Sequence, residues 1–182
     1  MFLKITSLAL PLLGYFFCIN TAAAQADCVN GMANGYPCAN VNLKAHLTSA
    51  ELNLDRGNDI WGWKSPVSQR EYALVCTQAG TVFVDVTDAT NSWIVGRLAA
   101  PTANSPWRDV KVSGNYAYLG SEAAGSGIQV FDLTKLDART NPNNNNFVFE
   151  EEDNLTSDFI SSSHNVVVDE NSDLLVAVGT NV

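Results

Sequence analysis

Apolar residues in this chain come in short runs of strand length, broken by turn residues, and the runs recur in sets. Tyr72–Cys76, Thr81–Val86 and Trp93–Leu98 form one set, rich in β-branched and aromatic residues. Tyr116–Gly120 and Ile128–Leu133 repeat it, and Leu174–Gly179 begins it a third time. Ahead of each set stands a polar pair that runs into a first strand: Asn58-Asp59 before Ile60–Trp63, Arg108-Asp109 before Val110–Val112, and His164-Asn165 before Val166–Val168. The unit is therefore a four-stranded antiparallel meander, with Phe147–Glu150 as the expected fourth strand of the second copy.

Starts at residues 58, 108 and 164 give a period of about 50, close to that of repeats that carry one four-stranded propeller blade each. The expected fold is all-β, a partial β-propeller of about two and a half blades. A β-sandwich is the alternative, since it too strings strands between regular turns. The longer second step is explained by an insertion, the polar loop Asn141–Asn146. Gln78-Ala79-Gly80, Ser113-Gly114-Asn115 and Asp169–Asp173 supply hairpin turns. Helical spacing is confined to Val41–Leu54, where Leu43, Leu47 and Leu54 share a side. Because closed propellers hold about four to eight blades, the sequence reads as the N-terminal portion of a longer protein.

The start of the chain changes the picture of where it works. Lys4 precedes an apolar run from Ile5 to Phe17, too short to span a bilayer, and small residues Ala22–Ala26 follow. This is the pattern of a cleaved secretory leader. The chain divides into a signal peptide over 1–26, a lead-in over 27–56 and repeats over 57–182. The expected location is secreted or cell-surface, with the periplasm as a further oxidising compartment. There Cys28 and Cys38, separated by two turn-forming Asn-Gly pairs, are expected to form a disulfide, leaving Cys76 as a buried small apolar residue. The formal charge is −9, and loss of Lys4 makes it one unit more negative. Such acidity argues against nucleic acid or anionic lipid as partner. No later segment is long and apolar enough for a membrane span.

The segments GNDIWGW, YALVCTQAGTVFVDVTDATN, WRDVKVSGNYAYLGSEAAGSGIQVFDLTKL and SSHNVVVDENSDLLVAVGT resemble the choice-of-anchor B family of secreted bacterial proteins, which are similar to LVIVD-repeat proteins. The resemblance covers essentially the whole chain after the leader. It implies a propeller-like region followed by a variable sorting or anchoring segment, and it implies no common reaction.

If the first strands line a common axis, the polar pairs converge at one height. Asn58, Asp59, Arg108, Asp109, His164 and Asn165, with Trp61 and Trp107 nearby, then form a candidate binding site for a polar ligand at the channel mouth. The competing reading is structural, with the pairs satisfying backbone groups between neighbouring units. His164 beside Ser161–Ser163 lacks the Gly-x-Ser-x-Gly elbow of a hydrolase, and Asp85-x-x-Asp88 lacks the Gly and Glu of a calcium loop. No zinc-like spacing occurs, and neither metal nor cofactor is expected. Asp85 and Asp132 end matching strands, where an aspartate accepts N–H bonds from the following turn. Glu150–Asp153 reads as a solvated acidic face. The four tryptophans suit packing between units more than a sugar platform. The reading favoured is a non-catalytic binding module for an extracellular ligand or protein, glycans and cell-surface components included. An extracellular hydrolase or lyase acting through His164, Arg108 and Asp59 or Asp109 is the alternative.

Overall fold

The structure, a computed structural model, describes residues 25–155 and 160–181; residues 1–24 of the expected leader lie outside the described residues. After a small hairpin of β1 (Met32–Ala33) and β2 (Tyr36–Pro37), the chain makes one helical turn, α1 (Ser49–Leu52). Cys28 and Cys38 are disulfide-bonded across the start of this lead-in. The helix is a single turn inside the 41–54 stretch of helical spacing. Thr48 caps it, accepting from the Glu51 N–H while the Glu51 carboxylate accepts from the Thr48 N–H, and Asn53 ends it in the left-handed region at φ 51°.

Two antiparallel meanders follow. The first runs through β3 (Gly57–Lys64), β4 (Glu71–Thr77), β5 (Gly80–Asp85) and β6 (Trp93–Ala99), each paired with the next. The second runs through β7 (Arg108–Ser113), β8 (Tyr116–Ser121) and β9 (Ile128–Asp132), then a 3-10 helix over Leu133–Ala138. The predicted turns at 78–80, 113–115 and 169–173 all join neighbouring strands, and the Asn141–Asn146 loop is exposed throughout. Asp85 and Asp132 accept from the N–H groups of Thr87 and Thr134, both at 2.9 Å, as expected of strand-ending aspartates.

One strand is not where the sequence placed it. β10 (Val148–Phe149) pairs in parallel with β6 of the first sheet, matching Val148 to Arg97 and Phe149 to Leu98, while β11 (Asp153–Leu155) supplies the fourth strand of the second sheet beside β9. Phe149 is the physical reason. Its ring packs against Phe83, Phe131 and Phe147 and lies over Gly96, where a Cβ would come within 2.4 Å of it. The acidic run is correspondingly not wholly solvated, because Gln129 donates to Glu151 at 2.8 Å and Lys135 pairs with Glu152.

β12 (Asn165–Asp169) and β13 (Leu174–Val178) form a third antiparallel hairpin. The sheets approach each other most closely along their first strands, β3 and β4 against β7, and β7 and β8 against β12. Alternation along the strands then fills both faces of the first sheet. One face places Tyr72, Leu74, Cys76, Phe83 and Val95 against Val110, Leu119 and Phe131 of the second sheet. The other places Val82, Val84 and Ile94 under Leu47 and Leu52 of the lead-in. Arg97 fastens that cover by donating to the Leu52 and Glu51 carbonyls at 2.9 and 2.5 Å. Cys76 is the free cysteine among the described residues and is fully buried; removal from water pushes its thiol up to about 12, so it is an inert packing residue.

Candidate functional site

The first strands carry the polar pairs, and the register of the sheets decides where each side chain goes. Asp59 sits at an irregularity in β3, where pairing with β4 shifts between Gly57 and Ile60. Its carboxylate reaches the second sheet, accepting from the Val110 N–H at 3.1 Å and the Lys111 ammonium at 2.9 Å. Asp109, one unit on, repeats the move: it accepts from the Val166 N–H at 2.7 Å and from Lys111 at 2.7 Å. Each aspartate thus closes a backbone donor on the first strand of the following sheet. Asn58 adds a third tie, donating to the Arg108 carbonyl at 2.6 Å.

Electrostatics set the two carboxyls apart. Burial opposes ionisation of Asp59, but hydrogen bonds from Asp109, Lys111, Val110 and Ile60 outweigh it and hold the group down to about 2. Burial comes first for Asp109 as well, and the adjoining Asp59 adds to it, so Lys111 and the Val166 N–H only partly offset an upward shift. Lys111 loses hydration on burial, yet the two aspartates raise it. Its ammonium also stands 4.8 Å above the centre of the Trp61 ring.

Arg108 departs from the expected ring. Adjacent residues on a strand face opposite sides, so with Asp109 turned toward the third sheet, Arg108 turns into the junction of the first two. It is 1 % exposed, burial lowers its pKa, and its Nε and Nη2 meet no hydrogen-bond acceptor among the described residues.

Trp107 and His164 lie instead on an exposed rim, their ring centres 6.3 Å apart. Glu122, at the end of β8, binds His164 Nδ1 through its carboxylate and donates its own N–H to the Trp107 carbonyl. Gly179 makes room for that imidazole: its φ is +63°, and a Cβ would lie 2.7 Å from His164 Cβ. Asn165 begins β12 half-buried, paired through its backbone with Val178.

The structure therefore separates the eight predicted residues into three places. Asn58, Asp59, Asp109 and Trp61 gather around Lys111; Arg108 is sealed between sheets; Trp107 and His164 share the rim, with Asn165 one residue further along. Lys111 and Glu122 were missed. Lys111 is two residues beyond Asp109 and so on the same strand face, a signal that was available; Glu122 follows a strand end and carries none. The tryptophans divide as well. Trp63 is buried, stacks on Tyr72 and donates to the Gly114 carbonyl at 3.0 Å, and Trp93 is covered by Arg70, whereas Trp61 and Trp107 are exposed. Among the described residues no group of His, Cys, Asp and Glu has the arrangement of a metal site, and Asp85 is paired with Arg70.

The arrangement combines rigid, hydrogen-bonded first strands with two exposed indoles and a few polar groups, which is the composition of a ligand-binding surface. Compared with protein-family models, curated proteins and solved structures, the chain finds no match.

Proposed function

We propose that this chain is an exported β-propeller-type binding module, similar to the choice-of-anchor B proteins and displayed outside the cytoplasm. Its ligand surface is the face built from its first strands. The observation that carries the reading is the head-to-tail tie, in which Asp59 serves the second sheet and Asp109 the third through equivalent atoms. Copies joined by the same contact, first strand beside first strand, suit sheets set radially about an axis better than the two stacked layers of a sandwich. The leader-like start supports export, as does the Cys28–Cys38 disulfide.

Binding is favoured over catalysis by what the charged groups already do. Both oxygens of Asp109 and the whole ammonium of Lys111 are engaged in hydrogen bonds within the second sheet and to its neighbours, and Arg108 is out of reach of solvent. A hydrolase or lyase working through those residues would have to dismantle its own framework. The exposed groups are Trp107, His164 and Glu122 on the rim and Trp61 below them. Labelled protein applied to immobilised polysaccharides, peptidoglycan and extracellular peptides should be retained by at least one surface. Either the double variant Trp107→Ala/His164→Ala or the single variant Trp61→Ala should lose that retention with its far-UV spectrum unchanged. Retention untouched by both would overturn the first-strand face as the binding surface.

A further inference from the structure

Below the Asp59–Lys111–Asp109 cluster a cavity of about 430 Å³ opens between the lower ends of the first strands, lined by residues of all three sheets. Its floor is Trp61, Trp63, Gly62 and Val112, and its polar margin is Lys64, Asn115 and Glu170. We infer that this groove is a binding site for a neutral oligosaccharide, with the Trp61 indole as the stacking platform. The inference rests on the binding-module reading above and gives it a ligand class.

Three observations on the groove converge. First, its volume lies in the range of small-ligand sites, about 300–1,000 Å³. Second, Trp61 is 41 % exposed although its ring is held from above by the Lys111 ammonium, so a large planar apolar surface is presented in a fixed orientation. A pyranose ring offers a matching flat face of C–H groups, and stacking on a fixed ring costs little side-chain entropy. Third, the margin offers every kind of hydrogen-bonding group: the Asn115 amide donates and accepts, the Glu170 carboxylate accepts, and the Lys64 ammonium donates. Hydroxyl groups, each donor and acceptor, are the chemistry that such a mixture serves. These groups are also well placed to keep their positions. The main-chain carbonyl of Asn115 accepts from the Leu133 N–H at 2.8 Å, which fixes the backbone that carries its side chain, and Glu170 rides on a turn that Asp169 locks through the Asn171 N–H and the Ser172 hydroxyl.

Charge then selects among sugars. Lys64 is paired with Glu71 at 3.1 Å and Lys111 with two aspartates, so the cations at the groove are already answered by carboxylates, and Glu170 adds a further negative charge. Uronic and sialic acids would meet net repulsion. A proline-rich peptide is the other ligand that aromatic grooves take, but it presents carbonyls and no hydroxyls, and the Glu170 carboxylate offers it nothing to accept from.

The test is isothermal titration of the purified chain with cellotetraose, maltotetraose and chitotetraose, with tetragalacturonate and a decaproline peptide alongside, each followed also by tryptophan fluorescence. At least one neutral tetrasaccharide should bind and shift the emission. Trp61→Ala should weaken it about tenfold or more, Trp61→Phe less, and Glu170→Gln, in an exposed turn that does not touch the core, a few-fold. Near-UV circular dichroism of each variant checks that the sheets remain packed. Binding by none of the three neutral sugars, preference for tetragalacturonate or decaproline, or unchanged affinity in folded Trp61→Ala would overturn the proposal. If a ligand is instead lost in Trp107→Ala and retained in Trp61→Ala, the groove assignment fails while the module reading stands.

Discussion

Lys111 is the residue on which the junction of the sheets turns. Its three ammonium protons meet Asp59 at 2.9 Å, Asp109 at 2.7 Å and the Val110 carbonyl at 2.9 Å, so two carboxyls can sit side by side in a half-buried place. The consequence for acid stability follows from Asp59. Its carboxyl is held at about 2 in the folded chain against an ordinary 3.8, so the charged form is favoured by folding. That contribution is complete above about pH 4 and is lost as the pH falls through 2. Asp109, shifted upward, works in the opposite sense and softens the loss. Asp59→Asn should therefore be less stable than the parent at pH 7 in urea denaturation, with the gap closing between about pH 4 and 2. A gap that stays constant over that interval would mean that the carboxylate is not what Lys111 and the Val110 N–H hold. Residues were also where the sequence was hardest to read. The polar pairs announced themselves by recurrence, but whether a given member faces a channel or a core depends on the pleat. Arg108 looked like a ligand group because nothing local says that its neighbour Asp109 has the opposite face.

At the level of elements, local pattern was a good guide to which segments are strands and a poor one to which sheet they join. β3 to β9, β12 and β13 coincide with apolar runs that alternate and end at turn residues, and hairpin neighbours follow from connections of two to seven residues. β10 escaped that logic. Phe147-Val148-Phe149 is apolar enough for a strand anywhere, and its parallel pairing with β6 reaches across some fifty residues of chain, where only the space above Gly96 decides the matter. Gly96→Ala would put a methyl group into the Phe149 ring and within 3.1 Å of the Phe147 carbonyl. The expected outcome is a loss of about 1–3 kcal/mol and faster hydrogen exchange at the Arg97 N–H, which donates to that carbonyl at 2.8 Å. Full protection of Arg97 in the variant would show that β10 does not depend on the missing Cβ. α1 gives the opposite lesson. Its leucine spacing was visible, but Thr48 and Glu51 cap it so tightly that one turn is enough to seat Leu47 and Leu52 on the first sheet.

Across the whole molecule, the first sheet and the third hairpin differ in how their apolar faces are covered. The outer face of the first sheet is covered by the lead-in, whereas the third hairpin presents Val167, Leu174, Val176 and Val178 to solvent, each at least 40 % exposed. Clustered apolar side chains of this kind favour association. Replacing the cross-strand neighbours Val167 and Val176 by Thr keeps β-branched residues in the strands and should shift the 182-residue chain toward monomer in sedimentation velocity; an unchanged distribution would exonerate this face. The recurrence of the unit made this array legible in sequence, while the cover on its first face was not, since nothing in Leu47 or Leu52 names the surface they meet. The direction of the aspartate ties has a consequence for biogenesis. In both, the acceptor belongs to the earlier unit and the donor to the later one, so each sheet leaving the ribosome already displays the carboxylate that will receive its successor. Assembly can proceed in the order of synthesis, with every finished portion serving as the mould for the one still emerging.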